Sequence, residues 1–220
     1  MKTFLTSNVC RAGGRAFTLI ELLVVISIIM LLSVMILPAV GPLLRSSKMN
    51  NAASMITSSL DLARQTALTQ NRDVELRFYR YATKTDANNK QFRAFRTFYV
   101  YEDGSDPKKA LALGKINYLP DNVIISAKTE FSPILDYAKN TACLAHDTED
   151  LRGNGGNTEY VSFRFRATGG TNLSPVTGAD SNWFLTLYLE NAPIVANGLP
   201  ANYFTAQIDP VTGRVRSYRP

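Results

Sequence analysis

The chain has 220 residues and a formal net charge of +6, a length that suits one domain of ordinary size with a short additional segment. Residues 1–16 contain Lys2, Arg11 and Arg15 and no acid, so the rest of the chain holds 21 basic and 18 acidic residues. The resulting net charge of +3 is too small to indicate, by itself, a nucleic-acid or anionic-membrane partner.

Cysteine and histidine are scarce. Only Cys10 and Cys143 are present, and Cys10 precedes the apolar run from Leu22 to Val40, so no intrachain disulfide framework is expected. The one histidine, His146, has no second histidine and no cysteine pair at the spacing of a zinc site. We therefore expect neither a metal nor another cofactor.

The run from Leu22 to Val40 has nineteen consecutive residues without a charge. At about 1.5 Å per helical residue it approaches the roughly 30 Å hydrocarbon core of a bilayer, and it lacks the polar stripe of an amphipathic helix. It is too long for a secretory signal peptide, and no small-residue cleavage site follows it. Since the basic residues precede it, the sequence predicts a single-pass membrane anchor with a cytoplasmic N-terminus and an extracytoplasmic C-terminal part.

Glu21 lies next to this apolar run. A carboxylate in the middle of a bilayer costs about 2.5–3.5 kcal/mol on insertion scales, and less near the interface. An acid in this position is a candidate functional residue that needs a partner. The alternative is that its side chain only reaches back to the lipid headgroups.

The residues Phe17-Thr-Leu-Ile-Glu21, after a basic leader and before an aliphatic helix, resemble the class III signal of type IV prepilins and type II secretion pseudopilins. The resemblance implies that a prepilin peptidase cuts between Ala16 and Phe17 on the cytoplasmic side and methylates the new amine of Phe17. It also implies that the apolar helix remains as an anchor and later enters a filament core, where Glu21 sets the register between pilin-like subunits.

Ala16 departs from the family pattern, in which glycine precedes the cut. A cut after Gly14 would make Glu21 the seventh mature residue, whereas a cut after Ala16 makes it the fifth, as in the family. The segment Arg15–Glu21 also resembles the Verru_Chthon cassette D proteins.

Pro38 would be residue 22 of the mature chain, where pilins similarly carry a helix-kinking proline. A proline inside a helix removes one backbone hydrogen bond and clashes with the preceding turn, which bends or loosens the helix. The alternative is that the segment Pro38–Pro42 ends the membrane helix.

A second helical pattern begins at Arg45. Apolar residues recur at spacings of three and four on one face, so this helix, over residues 45–70, should pack on a sheet with one side. Asn71 is the predicted stop, because asparagine tolerates the left-handed conformation beyond a helix end. Together with the apolar run Leu22–Val40, this second helix resembles the long spine helix of pilins. The apolar positions are Met49, Ala52, Ala53, Ile56, Leu60, Ala63 and Ala67.

After Asn71 the period changes to two, which predicts about seven strands and an antiparallel sheet in an α+β head, residues 45–220. We expect Val74, Leu76 and Phe78 on the buried side of a half-buried strand. Residues 127–158 show no sustained period and are predicted to be a mobile insertion. The expected strands are 74–79, 93–101, one short strand around 116–126, 160–166, 183–190, 203–209 and 214–218.

The junction Leu62–Val74 resembles the helix-to-strand junction of the GspH/FimT group, which contains the H-type minor pseudopilin of type II secretion. The strand Val161–Gly169 and the terminal Thr-Gly-Arg-Val-Arg segment are similar to that group as well. The wider pilin-like resemblance covers residues 11–70 and extends to the rest of the chain by architecture.

No catalytic motif is found in the sequence, and we expect a protein that is not an enzyme. Cys143 and His146 are three residues apart, but nothing beside them supplies the context of a thiolate nucleophile. Asp147, Glu149 and Asp150 could hold a calcium ion, although they lack the spacing of an EF-hand loop.

The basic C-terminus is the candidate binding segment. Strand alternation would place Arg214 and Arg216 on one face, with Arg219 close by and Tyr218 able to stack on a base. FimT-like minor pilins of DNA-uptake systems carry a similar Gly-Arg-x-Arg segment, and three arginines would give weak, salt-sensitive DNA binding. The alternative is a solubilising edge strand whose charges discourage pairing between sheets.

The sequence therefore predicts three parts: a prepilin leader, residues 1–16; a transmembrane half of the spine helix, residues 17–44; and the head. The expected function is that of a minor structural and assembly subunit of a type II secretion-like pseudopilus or a type IV pilus-like filament. Its expected partners are a prepilin peptidase, other pilin-like subunits and the inner membrane. The alternative is a DNA-binding minor pilin of an uptake machine.

Overall fold

The computed structural model describes residues 17–82, 88–100, 110–151, 157–175, 183–195 and 198–220, with only the backbone of residues 35–40. The predicted leader and residues 152–156 of the predicted mobile insertion therefore lie outside the described residues. The chain divides into two compact units, Met1–Leu44 and Arg45–Pro220.

One helix, α1, runs from Leu19 to Gln70. It continues through Pro38 and Pro42, so the alternative in which this proline segment ends the helix is wrong. A proline removes one backbone hydrogen bond, and helix-forming neighbours can carry the helix past it.

Helix α1 ends at Gln70, and Asn71, the predicted stop, directly follows it. Asn71 has a φ of 49°, and the amide of Arg72 donates to the carbonyl oxygen of Ala67 at 3.2 Å. This bond closes the last turn in the Schellman pattern and uses a carbonyl that the helix would otherwise leave without a partner. The chain can then turn directly into the first strand.

The second unit has one main hydrophobic core, between α1 and the sheet. The predicted apolar face of the helix is confirmed, since all seven of its positions are buried in this core. Across from it lie buried side chains of the sheet, among them Phe78, Phe95, Phe163 and Leu187.

Ten strands form one sheet among the described residues, and all their pairings are antiparallel. The order is β10-β9-β8-β5-β2-β1-β7-β6, while β3 and β4 pair with β2. The α+β class is confirmed. The strands are β1 Val74–Tyr81, β2 Gln91–Val100, β3 Ala110–Ala112, β4 Asn117–Tyr118, β5 Val123–Ile125, β6 Ala145–Asp150, β7 Asn157–Phe165, β8 Phe184–Leu189, β9 Tyr203–Ile208 and β10 Val215–Tyr218.

The predicted count of about seven strands is too low. The sequence missed β3 and β6, and it combined β4 and β5 into one strand. Strands β3, β4 and β5 have three, two and three residues, which is too short for an alternation to be recognised. Strand β6 is polar on both faces, so it has no hydrophobic alternation at all.

Residues 127–158, predicted to be a mobile insertion, contain regular structure in the part that the structure describes, and their mobility stays a prediction. A 3-10 turn, Pro133–Leu135, buries Ile134 and Leu135, and Leu144 is buried just before β6. Isolated apolar residues fasten irregular backbone to the core here, and such anchors have no period.

Strand β1 was expected to be half buried, and this expectation is wrong. Glu75, Arg77 and Tyr79, on the side away from the helix, are 2%, 7% and 0% exposed. A central strand can be covered on both faces, and its sequence alternation cannot show whether the polar face is covered. The second face therefore contains a buried polar layer.

Candidate functional site

The start of α1 carries a reciprocal cap formed by Thr18 and Glu21. The backbone amide and the hydroxyl of Thr18 donate to Oε2 of Glu21 at 3.0 and 2.9 Å, and the amide of Glu21 donates to Oγ1 of Thr18 at 3.3 Å. This is a capping box, which satisfies helix-terminal amides that lack an intrahelical acceptor. Thr18 was not among the predicted functional residues, although Thr-x-x-Glu before an apolar run indicates this cap.

The cap gives Glu21 a local partner in the chain as it stands. Its carboxylate accepts from Thr18, the second residue after the expected cleavage point. Phe17 directly precedes the cap and is 77% exposed. Ala16, the other residue of the expected cleavage site, lies outside the described residues.

The described part of the apolar helix presents large side chains outward all round, from Leu19 to Val34. The hydroxyls of its two serines form hydrogen bonds within the helix. Ser27 donates to the carbonyl of Leu23 at 2.8 Å, and Ser33 donates to the carbonyl of Ile29 at 2.7 Å. Hydroxyls bonded in this way need no outside partner. A continuous exposed apolar surface of this kind marks a site of contact with a membrane or with another protein.

Within the described residues, no helix is both long enough and apolar enough to cross a membrane. Pro38 lies inside α1, and its role as a kink stays a prediction.

The basic C-terminal segment forms an edge of the sheet. Arg216 lies in β10, which pairs with β9 alone among the described strands, and Arg214 directly precedes it. Both are exposed, as is Arg219. The hydroxyl of Tyr218 donates to Oε1 of Gln207 at 3.1 Å, which fixes that ring along the neighbouring strand. The segment thus presents three cations and one aromatic ring.

A tight turn before β10 sets its position. Oδ1 of Asp209 accepts the amides of Thr212 and Val211 at 3.0 and 2.9 Å. These bonds, with that from Thr212 first, hold the pKa of Asp209 below its ordinary value. Gly213 closes the turn with a φ of +65°, and a Cβ there would collide with the carbonyl oxygen of Gly169.

Arg64 fastens this turn to the helix. Its Nε donates to the carbonyl oxygens of Thr212 and Gly169 at 2.8 and 3.2 Å. The bonds span 148 and 105 residues of sequence. The basic edge strand is therefore held against α1 through one guanidinium.

Cys143 and His146 have different neighbours in the described structure. Cys143 is a free, partly buried thiol, and its carbonyl accepts Nδ2 of Asn172 at 2.5 Å. His146 is exposed and stacks on Tyr137, with 4.9 Å between ring centroids.

The acidic cluster does not form a calcium site within the part of the chain that the structure describes, where no group of acidic, histidine or cysteine side chains could hold a metal. Asp147 accepts the amide of Thr148 at 2.8 Å. Glu149 instead accepts Nη1 of Arg77 at 2.9 Å and the hydroxyl of Tyr79 at 2.7 Å.

Arg77 is the centre of the polar layer. Its guanidinium lies between the rings of Phe98 and Tyr160, 4.1 and 4.6 Å from their centroids, and its Nε pairs with Oε1 of Glu75 at 2.9 Å. Burial opposes its charged form, but Glu75, together with Tyr160 and Glu149, outweighs this and raises the pKa of Arg77. Arg77 therefore remains charged, with its carboxylate partners and two aromatic rings around it.

Tyr79 belongs to the same layer. Burial raises the pKa of its hydroxyl well above the ordinary value, and the hydrogen bond to Glu149 adds to the effect. Tyr79 is therefore a neutral donor at every physiological pH. It has a structural role in the layer, as the donor to Glu149.

A polar cavity lies on another part of the sheet. Its volume is about 560 Å³, and Arg93 and Glu190 line it together with Asn89, Asp121 and Tyr81. Just before Tyr81, a β-bulge between Tyr79 and Arg80 shifts the register of β1 against β2. Arg93 pairs through both terminal nitrogens with Glu190, at 2.6 and 3.0 Å. Since this pair satisfies both charges, the cavity presents no unopposed charge at that point.

Comparison with known proteins places one family match on the N-terminus. The prokaryotic N-terminal methylation motif matches residues 11–37, which include Phe17, Glu21 and the start of the apolar helix. No curated protein matches the chain.

Two solved structures are similar to it. The minor pseudopilin EpsH from the type 2 secretion system of Vibrio cholerae is 10% identical, with a TM-score of 0.41, covering 79% of this chain and 98% of that one. The type IV minor pilin FimU of Pseudomonas aeruginosa PAO1 is 12% identical, with a TM-score of 0.38, covering 80% and 94%.

Proposed function

We propose that this chain is the precursor of a membrane-anchored, pilin-like structural subunit and not an enzyme. The observation that carries the proposal is the methylation motif at residues 11–37, with Glu21 capping an apolar helix that starts two residues after the expected cut. The uncharged run from Leu22 to Val40 supports an inner-membrane anchor.

In this proposal a prepilin peptidase removes residues 1–16 between Ala16 and Phe17 and methylates the amine of Phe17. The amphipathic part of α1 and the sheet form an extracytoplasmic head. The mature chain then joins other pilin-like subunits in a type II secretion-like pseudopilus or a type IV pilus-like filament. A minor subunit of the GspH/FimT kind, and the Verru_Chthon cassette D group, are the narrower forms of the proposal.

Glu21 and the amine of Phe17 are proposed to register neighbouring subunits. Opposite charges attract far more strongly in an apolar core than in water, and each alone is costly to bury. The helix start leaves little slack for this pair inside one chain, so the amine of an axially displaced neighbour is the partner. Pro38 is proposed to loosen the packed helix at that level of the filament.

The processing step is tested by intact-mass measurement of the full chain extracted from membranes, in cells with and without an active prepilin peptidase. With the peptidase, the protein should begin at Phe17 and carry one methylated amine. The Ala16→Gly variant, which restores the family residue, is the matched control and should be cut at the same bond. Retention of residues 1–16 by the unmodified chain in peptidase-positive cells, where the control is cut, would contradict the proposal.

A DNA-binding minor pilin is the second candidate function. It is favoured by the exposure of Arg214, Arg216 and Arg219 along one edge strand. Binding should be weak and should fall steeply with salt. Fluorescence anisotropy with duplex DNA tests it: the triple replacement of these arginines by glutamine should abolish binding if DNA is the ligand.

A further inference from the structure

The two edges of the sheet differ in charge. Strand β6 at one edge carries Asp147, Glu149 and Asp150, and Arg214, Arg216 and Arg219 lie in or beside β10 at the other. Among the described strands, β6 pairs only with β7 and β10 pairs only with β9. An edge strand has backbone donors and acceptors on its outer side that can accept another strand.

The directions of the two edge strands suit each other. Seven junctions separate β10 from β6 in the sheet order, and each is antiparallel. An odd number of reversals makes β6 run opposite to β10. A second copy placed beside the first in the same orientation would therefore bring its β10 antiparallel to β6, the pairing that edge strands form most readily.

The charges also share a face. Val215 packs against the core beneath α1, so Arg216 points to the opposite face of the sheet. Asp147 pairs in register with Tyr160, which belongs to the cluster on that same opposite face. In a sheet continued from one copy to the next, Asp147 and Arg216 would therefore stand on one side.

We propose that the acidic edge β6 of one copy pairs with the basic edge β10 of a second copy of this chain. With Arg216 opposite Asp147, antiparallel alternation brings Arg214 opposite Glu149, and His146 opposite Ser217 on the other face. Like edges repel in this arrangement, because β6 against β6 opposes acids and β10 against β10 opposes arginines.

Such a contact uses different surfaces on the two copies, so it repeats in one direction and generates an open array. Strand β10 has only four residues, and the contact is too short to hold free molecules together. Its occupancy rests on the proposed function, since copies anchored in one membrane or filament face each other at a high effective concentration.

The experiment uses the full chain in membranes, with Cys10 and Cys143 replaced by serine. Copies carrying His146→Cys and differently tagged copies carrying Ser217→Cys are produced together and oxidised. A mixed disulfide should form, because the two cysteines face each other across the contact. The control is Ser58→Cys, an exposed position on α1, which should not link to Ser217→Cys. The inference would be overturned if Ser58→Cys linked to Ser217→Cys equally well. It would also be overturned if His146→Cys and Ser217→Cys formed no disulfide.

Charge exchange gives the second readout and leaves the reporter cysteines in place. Asp147→Arg alone, or Arg216→Asp alone, should lower the mixed disulfide about fivefold, as one cross-strand attraction becomes a repulsion. Asp147→Arg copies mixed with Arg216→Asp copies should regain it. Lack of this rescue would overturn the inference, as would a yield that depends on Arg216 and added duplex DNA but not on Asp147. If processing at Phe17 persists while linkage is absent, only the edge contact fails.

Discussion

Nη1 of Arg77 donates to Oε2 of Glu149 at 2.9 Å and joins the central strand β1 to the edge strand β6 across 72 residues of sequence. The side chain of Arg77 is 8% exposed and that of Glu149 25%. Glu149 also accepts the hydroxyl of the fully buried Tyr79. One carboxylate at the edge of the sheet thus serves two buried donors.

Replacement of Glu149 by glutamine should lower the free energy of unfolding of the head by about 1–3 kcal/mol, because two buried donors lose an ionised acceptor. Urea unfolding of the full chain in detergent, followed by the fluorescence of the one tryptophan, Trp183, measures this. Trp183 is 5% exposed and donates to the carbonyl of Ser174 at 2.8 Å, so its emission reports on the core.

The matched control is Asp147→Asn on the same strand. Asp147 is exposed, and its replacement should change the free energy of unfolding by no more than about 0.5 kcal/mol. Equal losses in the two variants would show that β6 responds to net charge and that the contact with Arg77 contributes nothing specific.

Gly213→Ala should destabilise the head by about 1–2 kcal/mol, because an L-residue is strained at a φ of +65° and the new Cβ meets the carbonyl of Gly169. Gly114→Ala is the control, since a Cβ at Gly114 has nothing within 4 Å. The melting temperature of each variant, read from Trp183 emission, checks the difference. A Gly213 variant as stable as the Gly114 variant would contradict the assigned turn geometry.

Residues 45–220 should fold alone as a soluble, monomeric head. This segment forms a compact unit with its own core between one helix face and the sheet. Expressed without residues 1–44, it should give a circular dichroism spectrum of mixed helix and strand and one cooperative thermal transition. Aggregation, or a spectrum without ordered structure, would count against the prediction.

Glu21→Val should leave membrane insertion and cleavage intact while abolishing incorporation beside other pilin-like subunits, because an out-of-step chain loses its charge partner in the apolar core. Crosslinking and co-purification of filaments measure incorporation. Unaltered incorporation would show that Glu21 acts only within its own helix.

Thr18→Ala separates the cap from the contact between subunits. It removes the hydroxyl of the capping box, which should cost about 1 kcal/mol of helix stability, while the carboxylate of Glu21 stays available to a neighbour. Incorporation should therefore survive this change. If Thr18→Ala and Glu21→Val fail alike, the helix cap is the feature that assembly requires.

Some residues of the candidate site can be recognised from the local sequence, and others cannot. Glu21 stood out because it is an acid directly before nineteen uncharged residues. Arg77 did not, because it alternates with apolar residues like any exposed arginine on a half-buried strand. Its burial depends on Phe98, Tyr160 and Glu149, which come from three other strands.

By itself, the sequence determined the elements that depend on neighbours along the chain. The apolar face of α1 follows from a period of three and four residues, its end from an asparagine able to adopt a positive φ, and the longer strands from alternation. Only the tertiary structure decided the strand order, and with it which charges meet. The pairing of Arg77 with Glu149 and the opposite charges of the two sheet edges arise from contacts between residues far apart in sequence, which no local pattern records.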